Sequence, residues 1–217
     1  NACGLGGDFF CLFYDSATRK VHFLNGAGRS RSRATLEELL RRGLDQVPME
    51  GPLSVSVPGC VDAWGRLHQR FGRLRWEQLF DPAIHYAEDG FPMTQLVSQA
   101  TAERLAVLDD PEWRRIFVPQ GRVPQTGEIL RQPELARTLS IISREGPEAF
   151  YRGPLAARIS ERLADGFVTR DDLARHAGEW GKPLAISYRG YTLYETPPPT
   201  QGIAALLAMN LVEGFPL

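Results

Sequence analysis

The fold of this chain is most strongly constrained by the places where the spacing of its apolar residues changes between that of a strand and that of a helix. Residues 8–15 and 20–26 are rich in aromatic and β-branched side chains, which is typical of strands. Near the other end, 184–188 and 191–195 form a second strand pair around a tight turn, where Gly190 can supply a positive φ. Helical patterns fill the sequence between the pairs. Because strands and helices are segregated rather than alternating, the sequence predicts an α+β fold, with a predominantly helical middle and both strand pairs as candidates for one sheet.

Several segments have apolar residues at helical spacing, together with start and stop residues. Thr35 and Glu38 have the spacing of a capping box, and Thr169 and Asp172 repeat it with Asp in place of Glu. The last helical segment is so apolar that we expect it to be buried on most sides. The predicted helices cover 35–43, 60–72, 76–89, 94–108, 133–144, 153–164, 169–176 and 203–214.

Charge and hydropathy exclude several classes of partner. The chain has 217 residues and a formal net charge of -1, and its arginines are spread along its whole length. This distribution gives no basic surface for nucleic acid or for an anionic membrane. No apolar run approaches the ~18–20 residues that span a bilayer. The sequence therefore predicts neither a nucleic-acid partner nor a membrane partner.

The cysteines and histidines form no recognisable metal, disulfide or catalytic pattern. There are 3 cysteines, an odd number without paired spacing, and this favours the cytoplasm over the periplasm without fixing the compartment. The sequence contains no CxxC, HExxH or GxSxG motif, so it predicts no metal, no cofactor and no nucleophile–base pair. The residues concerned are Cys3, Cys11, Cys60, His22, His68, His85 and His176.

The opening "NACGLGGDFFCLFYDS" raises the question of a phosphate-binding loop. Such a loop lies between a strand and the helix that follows it, whereas Gly4, Gly6 and Gly7 precede an apolar strand pattern. Asp8 would also repel a phosphate. Two readings stay open: the glycines allow a tight turn into a strand buried on both faces, or they line a site where a ligand approaches the backbone.

Several motifs, taken in order, resemble one family. They are "GLGGDFFCLFYD", "LNGAGRSRSRAT", "VSVPGCVDAWGRLHQRFGRLRWEQLFDPAIHYAEDGFP", "EGPEAFYRG" and "YRGYTLYETPPPTQGIAALLAMNLVEG". Together they are similar to the large-subunit region of the gamma-glutamyltranspeptidase family over essentially the whole chain. The patterns N-G-x-G-R and "PPPTQG" are closer to a divergent branch, whose members include cephalosporin acylases and oxamate amidohydrolases.

The resemblance implies the four-layer αββα sandwich of the N-terminal-nucleophile hydrolases. Residues 1–217 would then be one domain, an incomplete large subunit of a precursor that cleaves itself. The nucleophile would be the new N-terminal Thr of the small subunit, downstream of this chain, so no catalytic residue is expected here and the chain alone should be inactive. The implied partners are the small-subunit segment, a small-molecule amide substrate and, through core surface left uncovered, a homo-oligomer.

The chain departs from the family at the residue that recognises the substrate carboxylate. In the transpeptidases an Arg after the second strand grips the α-carboxylate of the glutamyl group, and a gap-free alignment places Ala27 there. Losing an Arg–carboxylate contact removes both energy and orientation. We therefore predict Arg29 and Asn25 as substrate-binding residues. The alternative is that Arg29, Arg31 and Arg33 form a solvated basic loop.

Two functions remain open from the sequence. One is a self-processing enzyme that transfers or hydrolyses a γ-glutamyl-type acyl group. The other is a non-catalytic binding or assembly module on the same scaffold. A Thr-Thr or Thr-Ser cleavage junction downstream would indicate the enzyme.

Overall fold

The computed structural model describes residues 4–108 and 110–216. Its helices and strands fall in the order of the predicted pattern, with strands near both ends and helices between them. In chain order they are β1 (Phe9–Asp15), β2 (Lys20–Gly26), α1 (Leu36–Arg41), α2 (Cys60–Phe71), α3 (Asp81–Asp89), β3 (Phe91–Pro92), α4 (Gln95–Leu105), α5 (Pro111–Phe117), β4 (Ile129–Leu130), α6 (Pro133–Glu145), α7 (Glu148–Tyr151), α8 (Pro154–Arg162), α9 (Arg170–Ala174), β5 (Glu179–Gly181), β6 (Leu184–Tyr188), β7 (Tyr191–Glu195) and α10 (Gly202–Glu213).

The chain divides into two compact units. The first combines the residues up to Gly72 with those from Pro147 onward, and the second is Arg73–Gly146. In the second unit α3 packs against α6, and the indole N–H of Trp76 donates to the carbonyl of Ile142 at 3.0 Å. Whether the chain is one domain stays a prediction.

The first unit is built on an antiparallel sheet with the strand order β1-β2-β5. β1 and β2 form the predicted hairpin, with Phe9 opposite Gly26 at one end and Asp15 opposite Lys20 at the other. The third strand, β5, was not predicted, since three residues are too few to display a two-residue period. Among the described residues β6 and β7 pair in a sheet of their own, so the two predicted hairpins do not share one sheet.

The expectation of a fully buried first strand is wrong for the described residues. β1 pairs with β2 alone and lies at the edge of the sheet; most of its residues are half-buried and Tyr14 is 57% exposed. The last helix is likewise less buried than its sequence predicts. α10 packs against the β6–β7 hairpin and buries Gly202 and Leu206, whereas Leu207 and Leu211 are exposed. Composition shows that a segment is apolar, and its neighbours decide how much of it is covered.

The two predicted capping boxes differ in the structure. Thr169 and Asp172 form the complete reciprocal box at the start of α9. At α1, Thr35 accepts from the backbone N–H of Glu38, but the Glu38 carboxylate instead accepts hydrogen bonds from Arg41 and Arg42. Nearby arginines thus compete with the helix backbone for this carboxylate, and they lower the pKa of Glu38 to about 2.

The core of the first unit lies where α2 packs on β2. Leu24 of β2 and Val61 of α2 are completely buried. α2 runs to the predicted stop at Gly72. The short α7 was not predicted, and its Phe150 and Tyr151 are buried. These contacts fix the carboxyl end of β2, which positions the candidate site.

Candidate functional site

The opening glycines form a turn that docks on the start of α2. The N–H of Gly7 donates to the carbonyl of Gly4 at 3.0 Å, and the Gly7 carbonyl accepts from Gly59 N–H at 3.1 Å and from Cys60 N–H at 3.0 Å. These are among the first N–H groups of the helix, which need partners from outside it. The glycines therefore serve a structural turn, and the helix terminus that they contact belongs to α2.

The loop after β2 needs its glycines for close backbone packing. A Cβ on Gly28 would lie 1.9 Å from the carbonyl oxygen of Val57, and one on Gly59 would lie 2.1 Å from the carbonyl oxygen of Gly26. The loop is also tied to the start of β1, because the N–H of Gly28 donates to the Asp8 carboxylate at 2.6 Å. The N-G-x-G part of the motif thus holds the following residue, Arg29, at a fixed place.

A cavity of about 310 Å³ opens at this end of the sheet. Asn25 and Glu179 lie directly opposite each other on β2 and β5, so the sheet register brings them to the same rim. The lining residues are Asn25, Ala27, Gly28, Arg29, Ala177, Glu179 and Pro199. Both predicted substrate-binding residues, Asn25 and Arg29, therefore line one cavity, and the opening glycines are not among its lining residues.

Arg29 and Glu179 carry the charges of this cavity. The guanidinium of Arg29 donates to the Glu179 carboxylate, and the two side chains are 61% and 65% exposed. Asn25 accepts from the N–H of Ala27 through its side-chain oxygen at 3.0 Å, which shapes the turn and leaves its amide nitrogen as the donor end. The cavity thus presents a cation and an anion side by side, both accessible to a ligand.

The other arginines of the predicted basic loop behave differently. Arg31 donates to the carbonyl of Leu53 at 2.9 Å, and its guanidinium lies 5.5 Å from the centre of the Phe167 ring. The next residue, Ser32, donates its N–H to the buried Asp172 at 3.1 Å. Arg33 is exposed. The loop is therefore not uniformly solvated: its front lines the cavity and its rear is anchored to the protein.

A hydrogen-bond network lies behind the wall that carries Glu179. One carboxylate oxygen of Asp62, in the first turn of α2, accepts from Arg66 Nε at 2.6 Å and from Gly178 N–H at 2.7 Å. The Tyr151 hydroxyl accepts from Asp62 N–H at 3.0 Å and donates to the Pro58 carbonyl at 2.8 Å. Burial raises the pKa of Tyr151, which keeps this hydroxyl protonated and able to donate.

His176 is the buried member of the same region. It is 6% exposed and stacks on Tyr151 with ring centres 5.4 Å apart. Neither ring nitrogen has a hydrogen-bond partner among the described residues. Burial lowers the pKa of His176, so the ring is neutral at neutral pH.

Sequence reasoning missed Glu179, Asp62 and Tyr151 as contributors to this region. They come from β5, α2 and α7, far apart in sequence, and meet through tertiary packing. The motifs "VPGCVD" and "AFYRG" contain Asp62 and Tyr151 without indicating a role for them, and no motif contained Glu179.

The cavity offers binding rather than bond-making groups. Among residues 4–108 and 110–216, no cluster of three or more His, Cys, Asp or Glu side chains has the geometry to hold a metal ion. Within the same residues, no helix is both long and apolar enough to cross a membrane. The charged pair and the Asn25 amide can bind and orient a polar ligand.

Comparison with known proteins agrees with this architecture. The gamma-glutamyltranspeptidase family model matches residues 1–217. The chain is 37% identical over 216 residues to the glutathione hydrolase-like YwrD proenzyme of Bacillus subtilis, an alignment that covers 98% of this chain and 41% of that protein. The chain thus spans about two-fifths of that relative's length.

Solved structures show the same fold. Cephalosporin acylase from Bacillus halodurans superposes with a TM-score of 0.90 at 37% identity, over 99% of this chain and 41% of that one. The gamma-glutamyltranspeptidase of Helicobacter pylori superposes with a TM-score of 0.93 at 28% identity, over 100% of this chain and 64% of that one. These matches confirm the predicted α+β fold of the N-terminal-nucleophile hydrolases, and the higher identity to the acylase agrees with the divergent branch. The chain belongs to the gamma-glutamyltranspeptidase family.

Proposed function

We propose that this chain forms the substrate-binding part of a self-processing γ-glutamyltransferase or amide hydrolase. The nucleophile is the N-terminal Thr of a small-subunit segment outside this chain, and its own α-amine acts as the base. The acyl group of a small-molecule amide passes to this Thr and then to water or an amine. Because the proposed nucleophile lies outside these 217 residues, we expect them alone to give no turnover.

The observation that carries this proposal is the accessible Arg29–Glu179 pair beside Asn25. The α-carbon of a γ-glutamyl group carries a carboxylate and an ammonium. Arg29 suits the carboxylate, because a guanidinium can donate two parallel hydrogen bonds to it, and Glu179 suits the ammonium. The Asn25 amide adds a neutral donor. A dipolar substrate head therefore finds one partner of opposite charge for each of its own charges.

The role of these residues is to bind and orient the acyl group. When the substrate enters, its carboxylate replaces Glu179 as the partner of Arg29, and its ammonium neutralises Glu179. No charge is left without a partner during this exchange. A head group fixed in this way holds the amide carbon at one place relative to the attacking Thr, and such positioning lowers the barrier of the acyl transfer.

The test is the Arg29→Ala variant of the intact precursor, assayed with γ-glutamyl-p-nitroanilide. We expect kcat/KM to fall roughly 30- to 900-fold, a loss of about 2–4 kcal/mol of transition-state stabilisation, because the bound substrate shields its contact with Arg29 from water. Arg33→Ala is the matched control, since Arg33 lies in the same loop, is exposed and does not line the cavity.

Two results would contradict the proposal. An unchanged kcat/KM in Arg29→Ala, with self-cleavage complete on a denaturing gel, would remove Arg29 from the substrate site. A wild-type precursor that binds γ-glutamyl compounds but neither cleaves itself nor turns them over would instead indicate the non-catalytic module.

A further inference from the structure

We infer that Asp62 is a positioning residue, which holds the wall of the cavity that carries Glu179. The inference rests on the proposed function, because it gives Glu179 a part in recognising the substrate. Asp62 is not among the residues that line the cavity. Its effect passes through Gly178, the residue that precedes Glu179 in the chain.

The wall needs such support because β5 is short and, among the described residues, lies at the edge of its sheet. β5 has three residues, and it pairs on one side with β2. Glu179 is its first residue, so backbone pairing holds the Glu179 position from one side. The hydrogen bond from Gly178 N–H to the Asp62 carboxylate, at 2.7 Å, fixes the chain immediately before this point.

Gly178 is held tightly between two groups. A Cβ at this position would lie 3.0 Å from the carbonyl oxygen of Asn25 and 3.0 Å from the Asp62 carboxylate. Gly178 therefore lies between the backbone of Asn25 and the carboxylate of Asp62, and it directly precedes Glu179. This one close contact adjoins both cavity residues, and Asp62 forms one side of it. Removing the carboxylate would leave Gly178 N–H without this acceptor and leave space into which the wall can move.

Asp62 is itself held in place by several contacts, as a residue that positions another must be. Its N–H donates to the Tyr151 hydroxyl, and its carboxylate also accepts from Arg66 one turn along α2. The position in the first turn of α2 adds a favourable interaction with the positive end of the helix dipole. The carboxylate is therefore held by a salt bridge, by the helix and by the Tyr151 contact to its backbone.

The experiment is a double-mutant cycle in the intact precursor, with Asp62→Ala, Glu179→Gln and the combination. We expect Asp62→Ala to raise KM for γ-glutamyl-p-nitroanilide about tenfold, with kcat within about twofold, since Arg29 still orients the acyl group and only the contact to the ammonium is weakened. In the Glu179→Gln background, Asp62→Ala should change KM by less than about twofold, because the group that it positions has already been removed. Asp62→Asn keeps an oxygen acceptor for Gly178 N–H and should restore KM to within about twofold of wild type.

Two further variants complete the design. Gly178→Ala perturbs the same contact without changing any charge and should raise KM in the same way, so it replaces Asp62→Ala if that precursor does not accumulate. Asp15→Ala is the matched control: its carboxylate also accepts from a backbone N–H, that of Ala17 at 3.0 Å, but it lies at the opposite end of the β1–β2 hairpin. We expect its KM to equal that of wild type.

The outcomes separate the inference from the function on which it rests. If Asp62→Ala multiplies KM equally with and without Glu179, or if Gly178→Ala leaves KM unchanged, Asp62 does not position Glu179 and the inference is overturned. If Arg29→Ala and Glu179→Gln both leave kcat/KM unchanged, the proposed function itself is contradicted, whatever the result for Asp62. Coupling between Asp62 and Glu179, with rescue by Asp62→Asn, supports the inference.

Discussion

The front and the rear of the loop after β2 treat their charged residues in opposite ways. At the front, Arg29 forms one ion pair with Glu179, and both side chains are largely exposed at the cavity. At the rear, Arg31 and Ser32 donate to the Leu53 carbonyl and to the buried Asp172. Residues 29–32 thus contain both an exposed charge at the cavity and an anchor to the rest of the protein.

The difference separates charges that are accessible at the cavity from charges that hold the fold. An exposed ion pair contributes little to stability, because water solvates both partners well when they separate. A buried carboxylate that accepts several hydrogen bonds contributes more, because its donors have no water to replace it. We therefore expect changes at the rear to reduce stability and changes at the front to reduce activity.

The largest effect should come from Gly28→Ala, which would damage both halves of the loop. A Cβ there would lie 1.9 Å from the carbonyl oxygen of Val57. Because this oxygen belongs to the backbone, it cannot rotate away as the end of a flexible side chain could. We expect the free energy of unfolding of the precursor to fall by about 3 kcal/mol, measured by urea denaturation. Gly6→Ala is the control, because nothing lies within 4 Å of its added Cβ. Equal stability of the two variants would refute the close-packing explanation.

Asp172→Ala tests the rear alone. Its carboxylate accepts from Thr169 N–H at 3.0 Å, from the Thr169 hydroxyl at 2.8 Å and from Ser32 N–H at 3.1 Å. Loss of the cap and of a buried acceptor should lower the free energy of unfolding by about 2–3 kcal/mol. KM of the remaining folded enzyme should stay within about twofold, since Asp8 still holds Gly28. The exposed neighbour Asp171→Ala is the control, and a large rise in KM would argue against separate halves.

A smaller effect, dependent on pH, is expected from His176 behind the cavity wall. Burial lowers the pKa of His176 in the folded state. In the unfolded chain this residue takes up a proton near pH 6.5, about its ordinary pKa, so below that pH the unfolded state binds more protons and stability falls. His176→Phe keeps a ring on Tyr151 but cannot titrate. Its loss of stability between pH 7.5 and 5.5 should be smaller than that of wild type.

The measurement is the urea midpoint of the wild type and of His176→Phe at a series of pH values over this interval. If His176→Phe and wild type lose the same stability over this interval, burial of a neutral His176 does not contribute to acid sensitivity.

The smallest effect on stability should come from the front. Arg29→Ala and Glu179→Gln should each change the free energy of unfolding by less than about 1 kcal/mol, because their ion pair is exposed. Arg29→Ala should nevertheless have the large effect on kcat/KM proposed above. A loss of stability as large as that of Asp172→Ala would show that the front also anchors the fold, and the comparison of the two halves would fail.

Particular residues show how far sequence reasoning reached. The β1–β2 hairpin, the extent of α2 and the box of Thr169 with Asp172 were predicted and are confirmed, because each depends on residues close together in the chain. Glu38 was assigned to a capping box, but its carboxylate binds Arg41 and Arg42, since a propensity does not weigh competing partners. The exposure of α10 and the edge position of β1 depend on what packs against them.

The sequence by itself determined the α+β class, the family and two of the residues that line the cavity, Asn25 and Arg29. These follow from local periodicity and from motifs whose residues are consecutive. Only the tertiary structure placed Glu179 beside Arg29 and Asp62 behind it, because strand register and helix packing bring together residues up to 150 positions apart. The carboxylate next to Arg29 is the reason why we propose a dipolar head group rather than a simple anion as the ligand.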